Sequence, residues 1–206
     1  MSQIALPLDF PSDPGGDAFL VTPANARAVH LLDHWGAWPV RTAILTGPPR
    51  SGRSLLARVF AAKSGGSVID DAEAVPEAEL FHAWNRAQAT HRPLVIVAAA
   101  APPDWPITIP DLRSRLAAST HAALLPPDDA LVRALLARLF LRRGLDARTE
   151  LIDWLATRIE RSYAVIEAAV ALLDRDVTER QRRLSIPLAR ATLGEAGLVA
   201  GGLERP

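Results

Sequence analysis

A chain of 206 residues that is 49% hydrophobic is long enough for one substantial core plus a small appended unit, and too apolar to stay unfolded. Its 23 basic and 23 acidic residues cancel, which excludes a global positive field for drawing the chain onto nucleic acid, and the lack of cysteine excludes disulfides, thiolate metal sites and cysteine nucleophiles. The longest apolar run, LVIVAAAAP, falls far short of the roughly 20 residues of a membrane span, and MSQIALPLDF has no signal-peptide pattern, so a cytoplasmic protein without membrane contact is expected.

Residues 1–16, MSQIALPLDFPSDPGG, hold three prolines and a closing Gly-Gly pair, which predicts an extended, mobile tail. Ala28, Leu31, Leu32 and Trp35 recur at three- and four-residue spacing and predict an amphipathic helix from about Asn25 to Trp35. VRTAILTG reads as a short strand and SLLARVFAAK as a helix, with PPRSGR between them. SVIDDAE is a brief strand ending in carboxylates, AELFHAWNRAQ a helix, and RPLVIVAAA an uninterrupted apolar strand of the kind buried in a parallel sheet. After Pro126-Pro127 the pattern is helical. Asp128 or Asp129 caps a helix that Gly144 stops, Leu151 to Ile159 mark a second, Ser162 caps a third, and a fourth begins at Pro187. Strands alternating with helices, then helices alone, predict an α/β base followed by a small all-helical lid. Residues 131–190 carry twelve arginines against eight acids, an excess that solvated helix faces explain better than a nucleic-acid groove.

Between the first strand and its helix, Gly47-Pro-Pro-Arg-Ser-Gly-Arg-Ser54 fits the phosphate-loop pattern G-x-x-x-x-G-K-[ST] everywhere except at Arg53, where the pattern has lysine. Gly47, Pro48, Arg50, Ser51 and Gly52 would curl backbone N–H groups around phosphate oxygens, and Ser54 would ligate magnesium. Arg53 keeps the charge but replaces a compact ammonium with a longer planar fork, which favours binding over hydrolysis. The alternative is a tight strand-to-helix turn without ligand. Asp70 and Asp71 stand where one carboxylate holds a magnesium-bound water and the next polarises an attacking water; alternatively they are helix-capping acids. The five histidines show no metal-ligand spacing.

With these segments in place, the chain resembles the DnaA-related AAA+ family, and within it the short Hda-type regulators. Gln3, Leu6 and Leu8 in QIALPL resemble the family's sliding-clamp-binding peptide. Phe19 to Leu32, with Asn25, is similar to the segment beside the adenine pocket, PDLRSRL with Arg115 resembles the arginine-finger segment, and RRLSIPL (182–188) resembles the terminal junction. The resemblance implies a P-loop AAA+ base with a parallel sheet of about four strands. The division is a clamp-binding tail at 1–16, the base at 17–126 and the lid at 127–206. It implies ADP or ATP with Mg2+ held by Ser54 and Asp70. It further implies docking on the replicative sliding clamp and hydrolysis of ATP on the DnaA AAA+ domain promoted in trans by Arg115, with Asp71 a degenerate acid.

Departures accompany the matches. Ala98 to Ala101 fill the usual position of an acidic sensor, Ala164 that of the sensor arginine, and only fifteen residues separate Ser54 from Asp70, too few for the family's extra strand and helix. No room follows Leu188 for a helix-turn-helix reader, so sequence-specific DNA contact is not expected, while a homodimer stays open. Two other readings remain at this stage: an ATPase in its own right with Arg53 in the lysine's place, and a nucleotide-free scaffold for partner binding.

Overall fold

The computed structural model describes residues 19–199; Gln3, Leu6 and Leu8 lie outside them. In chain order the elements are α1 (Pro23–Asp33), β1 (Thr42–Thr46), α2 (Arg53–Ser64), β2 (Ser67–Ile69), α3 (Glu77–Thr90), β3 (Leu94–Val97), α4 (Pro110–Ala117) and β4 (Thr120–Ala123). Four helices then follow: α5 (Asp129–Arg142), α6 (Thr149–Ala156), α7 (Tyr163–Arg180) and α8 (Ile186–Glu195). Two compact units result, one from residues 19–20, 29–46 and 52–122, the other from 21–28, 47–51 and 123–199.

The sheet has four strands in the order β2-β3-β1-β4, as expected for α/β alternation. β3 runs parallel to both neighbours, pairing Ala43 with Val95 and Ile44 with Ile96 on one side and Val68 with Val95 on the other. Every β3 residue is buried, which explains its unbroken apolar run, whereas β2 is only partly covered at the edge. Ile44, Leu80, Leu94, Ile96, Leu112 and Leu116 form the core of this unit, and Trp38 stacks on Phe60 with ring centroids 5.6 Å apart.

The helical unit closes on its own cluster, in which Leu136, Phe140, Leu155, Ile166, Val170, Leu173 and Leu193 are almost wholly buried. Each such side chain contributes about 1.5–3 kcal/mol through removal from water. Asp176 of α7 is a buried acid in this unit, accepting from Thr192 Oγ1 of α8 at 2.7 Å and pairing with Arg180.

Several sequence expectations are corrected in detail. Helix α1 starts at Pro23, whose ring pre-sets helical φ, and ends at Asp33, with Trp35 in a separate 3-10 turn. The Trp38 indole N–H takes the Leu31 carbonyl left open by that end, at 2.8 Å. Strand β4, THAA, has no apolar run to announce it and was not among the strands read from the pattern. Asp128 and Ser185 cap α5 and α8 through their side chains, accepting from Leu131 N and Leu188 N, but Ser162 stands at the α7 N-cap without a capping bond.

Candidate functional site

The loop between β1 and α2 is built around two glycines that no other residue replaces. A Cβ on Gly47 would lie 2.8 Å from Leu124 Cβ and 3.0 Å from the Leu124 carbonyl oxygen. Gly52 has φ +87°, in the left-handed region that L side chains avoid, and a Cβ there would approach the Phe19 ring to 3.2 Å. Arg50 also adopts a left-handed φ of 63°, and its guanidinium pairs with Glu167 of α7. Ser51 is buried, donates its backbone N–H to the Pro48 carbonyl at 3.2 Å, and keeps a hydroxyl with no hydrogen-bond partner among the described residues. An orphaned buried hydroxyl inside a glycine-shaped turn is a feature that a bound anion would satisfy.

At the start of α2 the two expected magnesium ligands come together. Ser54 Oγ donates to Asp70 Oδ1 at 3.1 Å, and the same oxygen accepts from Asp71 N at 3.1 Å. A hydroxyl beside a carboxylate is a hard-oxygen pair of the kind that, with phosphate oxygens and water, suits Mg2+. Asp71 itself is left-handed at φ 47° and precedes the 3-10 turn Ala72–Ala74 without making a capping bond. Its side chain therefore does not serve as the cap that was the alternative reading.

Arg53 has a different arrangement from a phosphate-loop lysine. Its Nη1 donates to the carbonyl of Ala98 just past the end of β3. The N–H of Ala99, in the same peptide group, donates to the carboxylate of Glu73. One peptide at the carboxyl end of β3 is thus held by a cation on its oxygen and an anion on its nitrogen. Glu73 and Glu167 escaped the sequence reading because their partners are 26 and 117 residues away.

Asn25 is buried in the first turn of α1, and its Oδ1 accepts from Thr22 N at 2.9 Å. Asp128 Oδ2 accepts from Ala24 N at 3.1 Å, so the α1 start and the α5 start share a carboxylate. Ala164 is exposed in the first turn of α7, and its neighbour Tyr163 is buried with its hydroxyl donating to the Leu125 carbonyl at 3.0 Å. Burial, reinforced by the negative charge of Asp128, pushes the Tyr163 phenol up to about 12.

Arg115 lies on α4 in a fully furnished setting. Its Nε donates to Asp111 Oδ1 at 2.9 Å, its Nη2 sits 2.9 Å from Asp111 Oδ2, and its Nη1 donates to Asn85 Oδ1 at 2.6 Å. The guanidinium carbon lies 4.8 Å from the Phe81 ring centre and 4.6 Å from that of Trp84. The bond from Arg115 holds the Asp111 carboxyl below its ordinary range, and the same bond raises the guanidinium. Glu77, in the first turn of α3, accepts from Thr108 N, Thr108 Oγ1 and Ile109 N, each at 2.8 Å, and so fixes the start of α4. Backbone donation from Thr108, then from Ile109, stabilises the charged carboxylate and lowers its pKa below the usual carboxylate value.

A cavity of about 670 Å3 lies in the helical unit, lined by Leu145, Arg148, Leu151, Arg183 and Pro187 among others; its wall includes most of the RRLSIPL segment but none of the residues expected to touch nucleotide, magnesium, clamp or a partner's phosphates. Among the described residues no helix is long and apolar enough to cross a membrane.

Comparison with known proteins agrees with this arrangement. Residues 128–193 match the family described as Hda, lid domain. An uncharacterized protein of Haemophilus influenzae is 29% identical over 57% of the chain and 51% of its own length. The chromosomal replication initiator protein DnaA of Lactobacillus delbrueckii is 24% identical over 59% of the chain and 27% of its own length. The chain therefore spans about half of one curated relative and about a quarter of the other. Among solved structures, domain III of the Thermotoga maritima DnaA has a TM-score of 0.70 at 17% identity, covering 86% of this chain and 94% of that one. AMPPCP-bound DnaA from Aquifex aeolicus has a TM-score of 0.59 at 16% identity, covering 79% and 67%. In its four-stranded sheet and in the lid segment matched at residues 128–193, the chain is similar to Hda/DnaA-related AAA+ proteins.

Proposed function

We propose that this protein regulates replication initiation by acting in trans on ATP held by a DnaA AAA+ domain, while its own phosphate loop binds ADP or ATP with Mg2+ and turns it over poorly or not at all. Residues 17–126 serve as the base and 127–206 as the lid. Gln3, Leu6 and Leu8 tether the chain to the sliding clamp in the cytoplasm, and Asn25 lies beside the base of the bound nucleotide. Arg115 is the arginine delivered to the partner's phosphates.

The observation that carries this reading is the contrast in how the two arginines are used. Arg53, in the loop, donates to the Ala98 carbonyl, so the cation expected between β- and γ-phosphates is engaged by the protein itself. The remaining parts of a nucleotide site, two obligatory glycines and the Ser54–Asp70 pair, are kept. A site that keeps its cradle and diverts its cation supports binding without efficient hydrolysis. That the structurally similar Aquifex aeolicus DnaA is AMPPCP-bound supports the reading that this chain binds a nucleotide.

The test is phosphate release from ATP-loaded DnaA with clamp loaded on DNA. The full chain is expected to stimulate release, a Gln3→Ala, Leu6→Ala double variant to require far more chain for the same rate, and Arg115→Ala to give no stimulation at any concentration. Stimulation that survives Arg115→Ala would sink the in-trans reading. The absence of any thermal shift with ADP or ATP would leave a nucleotide-free scaffold instead.

A further inference from the structure

We infer that Asp111, together with Asn85 and the rings of Phe81 and Trp84, positions Arg115 to meet a phosphoryl group, an assignment that rests on the in-trans reading above. Asp111 engages Nε and Nη2, and Asn85 accepts from Nη1. A guanidinium carries five N–H donors, so these contacts leave one on each of the two terminal nitrogens for the oxygens of a phosphate. The side chain is 29% exposed, which keeps part of the fork open to a partner.

A free surface arginine samples many rotamers and loses them when it docks, and the cradle removes that loss in advance. An isolated pair four residues apart on one helix holds an arginine only weakly. Here, however, Asn85 and both rings come from α3, so the guanidinium is held from two helices. Glu77, also on α3, ties down Thr108 and Ile109 at the start of α4, so the helix that carries Arg115 is itself anchored to the helix that holds its tip.

The experiment measures phosphate release from ATP-loaded DnaA over a range of full-chain concentrations, using the unaltered chain, Asp111→Ala, Asp111→Asn and Arg115→Ala. Asp111→Ala is expected to lower the saturating rate by about tenfold while leaving the half-saturating concentration unchanged, with Asp111→Asn in between. A second measurement follows exchange of the 15N-labelled Nε–H of Arg115 in the free chain, expected to be slow in the unaltered protein and fast in Asp111→Ala. The assignment is overturned by an unchanged or raised saturating rate, by an effect confined to the half-saturating concentration, or by an Nε–H that already exchanges like free arginine. Asp111→Asn keeps the volume and one acceptor, and supplies the same readouts should the alanine variant fold poorly. If Arg115→Ala still stimulates, the in-trans reading fails and the positioning role with it; if Arg115→Ala is inert while Asp111→Ala matches the unaltered chain, only the positioning role fails.

Discussion

The carboxyl end of β3 and the α3–α4 surface each hold an arginine, and the two are held differently. Arg53 donates to a backbone carbonyl at the end of the central strand, within reach of the loop where a nucleotide would need it. Arg115 is gripped by side chains alone, a carboxylate, an amide and two rings. A backbone carbonyl at a strand end is a fixed part of the fold, so an arginine bound to it serves stability first. Side-chain partners at the surface hold a cation in place and still leave donors over. The same residue type is thus tied to the backbone in one place and held by side chains in the other.

The largest expected effects come from exchanging the two roles by alanine substitution. Arg115→Ala should remove the partner's stimulated hydrolysis, an effect of about 1,000-fold or more if the finger reading holds, and should shift the thermal midpoint little because its partners regain water. Arg53→Ala should leave stimulation largely in place but strand the Ala98 carbonyl. Losing a charge-assisted bond of this kind costs about 2 kcal/mol, or about 6 °C in a chain of this size. Calorimetry on both variants, beside the hydrolysis assay, checks the pair. If Arg53→Ala melts like the unaltered chain, the distinction drawn between the two arginines fails.

Arg53→Lys sharpens the same comparison. Lysine is shorter, and its compact ammonium suits a position between phosphates better than it suits the Ala98 carbonyl. Titration with MgADP should then show binding about tenfold tighter than in the unaltered chain, a gain of about 1.4 kcal/mol. Equal affinity for the two proteins would mean that Arg53 already serves the phosphates despite its bond to β3.

Much of this was legible in the sequence, and the part that was not follows a physical pattern. The unbroken LVIV run announced a strand buried on both faces, and the glycines of GPPRSGRS announced a turn that the structure shows to be closed to any Cβ. Both signals are local, carried by adjacent residues. The pairing of Ser54 with Asp70 was expected from the phosphate-loop logic, which supplies a long-range rule. Glu73, Glu167 and Asn85 had no such rule behind them, since a lone acid or amide on a helix looks the same whether or not a distant strand or helix turns its partner toward it. Strand β4 was missed for a related reason: a short THAA segment at a sheet edge, only partly covered, needs few apolar side chains. The Asp111–Arg115 spacing of four residues was visible, but only the fold added the rings and the amide from α3 that make it a cradle.

The smallest effect expected is also the most specific to the arginine cradle, because it acts through the start of α4 and not through the guanidinium. Glu77 accepts three hydrogen bonds from Thr108 and Ile109, and its folded pKa lies below the unfolded value near 4.5. A carboxylate shifted in this direction contributes stability that is present above the unfolded value and is lost as pH falls through the folded one. Glu77→Gln keeps one acceptor and loses the charge, so its thermal midpoint should fall by about 2 °C at pH 7 and converge on that of the unaltered chain as the pH drops below 4. A deficit that stays constant from pH 7 to pH 3 would mean that packing at position 77, and not its charge, secures the helix carrying Arg115. In that case the α3–α4 surface would be tied together by contacts that do not titrate, and the stimulated hydrolysis of Glu77→Gln should match that of the unaltered chain across the same range.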